Sequence, residues 1–282
     1  MTLKELRRKV TETLADGGVS SAEAEAMLLL MYAFGLDKTQ VLTKEMTVTD
    51  GMVISVRALA NRRLHGEPIQ YIIGGTEFMS LNFWVDKNVL IPRPETELLV
   101  ETVIERLRRQ GTEGAGIVDV GSGSGCIGIS LAHYLTDIHV TGIDISPEAV
   151  ALAQRNAERN RVEKRVHFIT YDICRGFPSL AHPVDFVVSN PPYIPTQEIS
   201  NLQIEVAGYE PFAALDGGED GLLFYRSIAG SAPLKAGGGL AFEIGFDQGA
   251  DVADIMERAG FAGIEILQDL EQRDRVVIGI KK

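Results

Sequence analysis

The chain has 282 residues, of which 45% are hydrophobic and 23% charged, with a net charge of −12. This is ordinary globular composition, long enough for one large domain and a small one, and no apolar run nears the roughly 20 residues of a membrane span. A face that grips duplex nucleic acid displaces counterions with basic groups, so the acidic balance argues against nucleic acid as the main partner. Cys126 and Cys174 have neither metal nor redox spacing, and Met1-Thr2-Leu3-Lys4-Glu5-Leu6 begins an amphipathic helix rather than an apolar signal segment. These features predict a soluble, cytoplasmic protein.

Residues 2 to about 65 read as helices. Thr2 and Glu5 form a capping box ahead of Leu3, Leu6, Val10 and Leu14 at helical spacing, and Asp16-Gly17-Gly18 ends the run. Ser20 with Glu23 opens a second helix carrying Met27, Leu30, Met31 and Phe34, which Gly35 closes. A short helix lies near Thr39 to Leu42, and Asp50 caps another through Val53, Val56, Ala60 and Leu64. A bundle this small is marginal alone. It carries no chemistry of its own, so it serves either packing or partner recognition. We draw it as residues 1–70, followed by a linker over 71–95 and a larger domain over 96–282.

Gly66 to Gly75 breaks the helical pattern. Thr76 to Val85 then alternates as a hairpin, with Phe78, Leu81, Phe83 and Val85 apolar. Ile91-Pro92-Arg93-Pro94-Glu95 is a stiff lead into a helix ending near Arg109. Arg93 and Glu95 either belong to a rigid strap or line a cleft.

From Gly116 strands and helices alternate. Strands are predicted at Ile117–Val120, Val140–Ile143, Val166–Thr170, Val184–Ser189, Gly239–Ile244, Ile264–Leu267 and Val276–Ile280. Helices are expected up to Tyr134, from Ser146 to Asn160, from Gly221 to about Lys235 and from Gln248 to Ala259. Such a succession builds a parallel sheet covered on both faces.

Gly121-Ser122-Gly123-Ser124-Gly125 sits between a strand and a helix, where glycines let backbone turn sharply and approach a ligand. No Lys-Ser/Thr follows, so it is not a P-loop, and Cys126 holds the place where a dinucleotide fingerprint has Gly or Ala. Asp144, at the next strand end, has the spacing of an acid that binds ribose hydroxyls. Asp119 either orients the loop or faces a cationic part of the ligand. At a third strand end, Asn190-Pro191-Pro192-Tyr193 stops a buried strand with an extended, rigid corner. The Asn190 amide and the Pro191 carbonyl together offer two acceptors to a ligand NH2 group, and Tyr193 and Pro192 offer walls. The five histidines, His65, His133, His139, His167 and His182, are scattered and read as structural or exposed.

Loop, acid and Asn-Pro-Pro-Tyr at successive strand ends resemble the class I S-adenosylmethionine-dependent methyltransferases. Gly66-Glu67-Pro68-Ile69-Gln70-Tyr71, Phe78, Ile91-Pro92-Arg93-Pro94-Glu95-Thr96-Glu97, Glu210-Pro211, Ala214-Leu215 and Asp220-Gly221 extend the likeness to nearly the whole chain. They resemble the protein-(glutamine-N5) methyltransferases of peptide chain release factors, the HemK/PrmC type. The resemblance implies a Rossmann-like α/β domain with a mostly parallel seven-stranded sheet, preceded by a helical bundle that recognises the release factor and by a β-hairpin linker. It implies S-adenosylmethionine held by Gly121 to Gly125, Asp144, Asp172, Ile173 and Asn190, and the glutamine of a bacterial class 1 release factor's Gly-Gly-Gln loop held by Asn190, Pro191, Pro192 and Tyr193. Asn190, Pro191 and Tyr193 are then the catalytic set. Asn-Pro-Pro-Tyr also permits an adenine-N6 methyltransferase acting on nucleic acid, against which the net charge speaks. A non-catalytic binding module is a third reading, and the intact Asn190 and complete loop speak against it.

Overall fold

The computed structural model describes residues 1–111, 113–180 and 183–282, so His182 lies outside the described residues. In chain order the helices are α1 (Leu3–Asp16), α2 (Ala22–Phe34), α3 (Lys38–Thr43), α4 (Asp50–Leu64), α5 (Ile69–Ile73), α6 (Thr96–Gln110), α7 (Cys126–Tyr134), α8 (Pro147–Arg159), α9 (Ile204–Ala207), α10 (Leu223–Ser231) and α11 (Gly249–Arg258). The strands are β1 (Gly75–Phe78), β2 (Leu81–Trp84), β3 (Ala115–Val120), β4 (Ile138–Asp144), β5 (Val166–Thr170), β6 (Val184–Ser189), β7 (Leu234–Glu243), β8 (Phe261–Gln268) and β9 (Asp274–Lys281). Two compact units emerge. One is Met1–Gly75 with Gln203–Tyr209; the other is Thr76–Leu202 with Glu210–Lys282.

In the helical unit the Thr2–Glu5 capping box forms, and Leu3, Leu6, Val10 and Leu14 are buried as their spacing requires. The Ser20–Glu23 start does not form. α2 begins after Ser21, whose hydroxyl donates to Glu25 at 2.8 Å. Glu25 is itself buried and accepts a hydrogen bond from Arg63 Nε–H at 2.5 Å, so the hydroxyl is drawn into that polar cluster rather than onto a helix end. Arg63 also donates to Glu205 at 2.6 Å, which ties the segment around α9 into the unit. Asp50 is not the cap of α4. Thr49 is, accepting from the Met52 N–H, and Asp50 follows as the first helical residue, where a carboxylate suits the helix dipole. The stretch from Gly66 to Gly75 is more than a break: after Pro68 it winds one helical turn, α5, closed by Gly74 at φ 72°.

The second unit carries a seven-stranded sheet in the order β5-β4-β3-β6-β7-β9-β8. All neighbouring pairs are parallel except those of β9, which runs antiparallel to β7 and β8. Every residue of β3 is buried, because helices cover both faces: Leu99, Ile129 and Ala153 on one side, Tyr225, Ile228, Val252 and Met256 on the other. α10 is shorter than its sequence pattern, since Leu234 and Lys235 already belong to β7. The order reverses beside β3, with β4 to one side and β6 to the other. Open α/β sheets place ligands in the crevice at that point.

β1 and β2 form the hairpin, turning at Met79 and Ser80 (φ 49° and 57°). Phe78 and Phe83 are buried edge to face, with ring centroids 6.2 Å apart. The buried Asn156 amide of α8 holds Trp84 by both its N–H and its carbonyl and also donates to the Ser124 carbonyl. One side chain thereby links hairpin, helix and glycine loop.

Candidate active site

A cavity of about 560 Å³ lies at the carboxyl ends of β3, β4, β5 and β6. Gly121, Gly123 and Gly125 all have left-handed backbone, with φ of 70°, 53° and 80°. The Gly121 and Ser122 N–H groups donate to the Ile143 carbonyl at 2.8 and 3.0 Å, pinning the loop to the end of β4. Gly123 N–H donates to Asp144 Oδ2 at 2.8 Å, and Ser146 N–H to Asp144 Oδ1 at 2.9 Å. Burial raises the Asp144 pKa against the opposing effect of these N–H groups. Gly125 has no room for a side chain: a Cβ there would sit 2.8 Å from the Phe168 ring and 2.9 Å from Ile129.

Asp119 is fully buried and does not line the cavity. Its Oδ2 accepts from Gly128 N–H in the first turn of α7 at 3.0 Å, and its Oδ1 has no partner among the described residues. Burial pushes its pKa up to about 7, the Gly128 N–H opposes this and the Asp144 charge adds to it. Of its two roles, orienting the loop and its helix is the one its contacts serve. On the next strand end Asp172 caps the turn Ile173–Arg175, accepting from Cys174 N–H, and so presents the buried Ile173 to the cavity.

β6 ends at Ser189, whose hydroxyl donates to the Val120 carbonyl at 2.7 Å. Asn190 follows. Its Nδ2 donates to the buried Thr96 hydroxyl at 3.2 Å, and among the described residues no donor reaches its Oδ1. Glu243, at the end of β7, is buried, and its Oε2 has no hydrogen-bond partner among the described residues. Burial raises Glu243 to about 7, the nearby polar groups of Thr96 and Asn190 and the Arg275 charge oppose it, and Glu95 adds to it.

The backbone beyond the two prolines is held from one side. Ile194 exchanges hydrogen bonds with Leu215 and Gly217, Thr196 N–H reaches the Gly218 carbonyl, and Gln248 Nε2 donates to the Tyr193 carbonyl at 3.0 Å. A Cβ on Gly217 would meet Tyr193 Cα at 2.8 Å and the Pro192 oxygen at 2.9 Å. The corner can therefore lie where it does only against glycine.

Residues 94–206 match the family model described as Methyltransferase small domain, and residues 5–74 match that described as PrmC N-terminal domain. The release factor glutamine methyltransferase of Geobacter sulfurreducens is 44% identical over 274 residues, covering 94% of this chain and 92% of its own. The release factor glutamine methyltransferase of Chlorobaculum tepidum is 40% identical over 279 residues, covering 96% and 94%. The chain belongs to the release factor glutamine methyltransferase family. A solved methyltransferase of Pyrococcus furiosus, 17% identical, aligns with a TM-score of 0.52 over 78% of this chain and 96% of its own, a likeness of fold alone.

Within this release factor glutamine methyltransferase family member, the cavity gathers Gly121, Gly123, Asp144, Asp172, Ile173, Asn190, Pro191 and Pro192. Ser122 and Ser124 are buried behind the loop, their hydroxyls without a partner among the described residues, and Gly125 is backed by Phe168; none of the three lines the cavity. Tyr193 does not line it either. The Ile194–Asp216 bridge draws its backbone away, and its ring packs, partly buried, against the core around Tyr225. Burial, with the Glu243 charge, pushes the Tyr193 phenol up to about 12, so it keeps its proton at neutral pH. Arg93 and Glu95 are not on the cavity wall. Arg93 donates to both oxygens of Glu210 at 2.7 Å, at the start of the segment whose Pro211, Phe212, Ala213 and Ala214 do line it.

Sequence reasoning missed Lys87 and Asn88 after the hairpin and Leu223 and Phe224 at the start of α10, all on the wall. It also missed Thr96 and Glu243. Glu243 left a readable signal: a carboxylate closing the apolar run Leu240-Ala241-Phe242 beside Ile244. Such a group is either exposed or deliberately held.

Proposed function

We propose that this protein transfers a methyl group from S-adenosylmethionine to the side-chain N5 of the glutamine in the Gly-Gly-Gln loop of bacterial class 1 peptide chain release factors. Relatives of that name match along nearly their full length. The single observation that carries the chemistry is the Asn190 amide. Its NH2 end is spent on Thr96, so its oxygen is the end offered to the cavity. An acceptor there suits a substrate NH2 group.

The cavity fits the cofactor. The backbone of Gly121 to Gly125 suits the amino-acid part, Asp144 the ribose hydroxyls, and Asp172 with Ile173 the adenine, beside Asn190. Bound there, S-adenosylmethionine supplies an electrophilic methyl on a positively charged sulfur. A carboxamide nitrogen is a weak nucleophile because its lone pair is delocalised. Asn190 Oδ1 and the Pro191 carbonyl would accept hydrogen bonds from its two N–H groups, aim the nitrogen and favour the positive charge that grows on it as the carbon–sulfur bond breaks, and the surplus proton is then lost to solvent. Pro192 walls the slot, and Tyr193 stands behind it and stiffens the corner. No protein nucleophile is needed.

The helical unit recognises the release factor, and its exposed Tyr32, Leu42 and Ile54 provide apolar surface for that contact. No helix among the described residues is long and apolar enough to cross a membrane, in keeping with a cytoplasmic encounter with translation factors. Adenine-N6 methylation of nucleic acid is the second reading of Asn-Pro-Pro-Tyr, disfavoured by the net charge of −12. Transfer of labelled methyl to purified, unmethylated release factor tests the proposal, with a Gln→Asn variant of its loop and duplex DNA as parallel acceptors. Label on the unaltered factor alone is expected. Label on DNA would overturn it.

A further inference from the structure

A protein substrate covers far more surface than the one side chain that reacts. A stable protein–protein contact takes about 800 Å² from each partner, a disc roughly 16 Å in radius. The release factor must therefore rest on the rim around the cavity, and the sheet order says on which side. The groups that suit the cofactor stand at the ends of β3, β4 and β5, and Asn190 stands at the end of β6. Beyond β6 comes β7, and the edge there is left to the body of the substrate.

Phe246, in the turn after β7, stands on that edge and is 62% exposed. It does not line the cavity. Ser189 of β6 pairs with Phe242 of β7, and Phe246 follows four residues later. Neighbouring strands lie about 4.8 Å apart and each residue advances the chain by at most about 3.6 Å, so Phe246 is within about 15 Å of the end of β6. That is inside the footprint of a protein centred on the cavity.

A single exposed apolar residue is ordinary on a protein surface. Phe246 differs in how its backbone is held. The Gln248 N–H donates to the Gly245 carbonyl at 3.0 Å, and the Gly245 N–H donates back to Gln248 Oε1 at 2.9 Å, which closes the turn on both sides of Phe246. Gln248 is buried, and its Nε2 donates to the Tyr193 carbonyl at 3.0 Å. The turn that presents the ring is thus fastened to the Asn-Pro-Pro-Tyr corner itself. An aromatic side chain with two rotatable bonds on a fixed turn has little freedom to lose when a partner covers it.

We propose that Phe246 is a docking anchor for the protein substrate: an apolar patch of the release factor, beside its methylated loop, seats on this ring while the glutamine enters the cavity. This rests on the reading of the release factor as substrate, and it adds to the helical unit a contact on the second unit's own rim. Phe246 touches neither the reacting atoms nor the cofactor. Its effect is felt in the KM for release factor rather than in kcat.

The variants Phe246→Ala, Phe246→Asp and Phe246→Leu are compared with the parent in methyl transfer to release factor, S-adenosylhomocysteine affinity and Tm. The KM for release factor should rise about 10-fold or more in Phe246→Ala, the scale of truncating an aromatic anchor, and further in Phe246→Asp. Phe246→Leu, still apolar, should stay within about 3-fold of the parent. In all three, kcat and cofactor affinity should hold within about 2-fold and Tm within about 2 °C, because an exposed side chain is changed on an intact turn. Parental KM in both Phe246→Ala and Phe246→Asp, or Phe246→Leu as weak as Phe246→Asp, would overturn the anchor. So would a fall in kcat at unchanged KM, or a loss of cofactor affinity matching the rise in KM. A parent protein that transfers no methyl to release factor would overturn the substrate reading and the anchor with it, whereas an active parent whose variants keep its KM would overturn the anchor alone.

Discussion

Asn190 stands where an apolar strand stops and a rigid corner starts, with one end of its amide already committed to Thr96. Replacing it by alanine removes the acceptor but not the cofactor cradle, which is built from the loop and from Asp144. Asn190→Ala should lower kcat by about 100-fold or more, the scale of losing an aligned transition-state hydrogen bond. S-adenosylhomocysteine affinity, measured by titration calorimetry, should change little, and equal losses of rate and affinity would refute this division of labour. Tyr193 is different, because its phenol holds its proton to about 12 and its ring is off the cavity wall. Tyr193→Phe should keep kcat within about 3-fold of the parent, since the residue that loses its hydroxyl does not line the cavity. A large loss would show that the hydroxyl takes part.

The Asn-Pro-Pro-Tyr corner is shaped by a second segment, Leu215 to Gly221, that runs beside it and leaves no space for a side chain at Gly217. Gly217→Ala should push Pro192 and Tyr193 outward and cut kcat by about 10-fold or more, as small misplacements of aligning groups do. Methyl transfer assays check this, with circular dichroism confirming the fold. In the helical unit, Arg63→Ala would strand the buried Glu25 carboxylate and should cost about 3–5 kcal/mol in urea unfolding of that unit. The elements themselves were readable where one physical signal dominated. β5 and β6 match their sequence-based bounds because both are apolar runs closed by polar residues, and α1 matches through its capping box. The reading failed where a distant side chain competed with a local rule. Ser21 serves Glu25, and Glu25 serves Arg63, a partner far along the chain that no local pattern reveals. The wall residue Lys87 lies in a segment without periodicity, and the Asn190–Thr96 hydrogen bond joins residues 94 positions apart. Asn190 and the glycine loop were legible because their chemistry is concentrated in a few adjacent residues.

Over the molecule as a whole, buried carboxyls with raised pKa shape the pH response, Asp119 and Glu243 foremost and Asp144 in the same direction. Asp119 and Glu243 are both displaced to about 7, mainly by burial, so the folded state holds protons that the unfolded chain gives up near pH 4. Their contribution is complete below the unfolded values and is lost as pH rises through about 7. Each unit of displacement is worth about 1.4 kcal/mol. The net charge of −12 adds repulsion at the alkaline end. Tm should therefore be lower at pH 8 than at pH 5.5, and Asp119→Asn should narrow the gap. An unchanged gap in scanning calorimetry would refute the assignment to Asp119. The division into units has a consequence for synthesis. The helical unit is finished not by its own early residues but by Gln203–Tyr209, which supplies Glu205 to Arg63 and brings Ile204 against Gly66. As the chain leaves the ribosome, its first 75 residues must wait, with part of their polar cluster unmatched, until the glycine loop and Asn190 have already emerged. The helical unit is thus begun early but is completed only after four strands of the other unit's sheet, β3 to β6, have been translated.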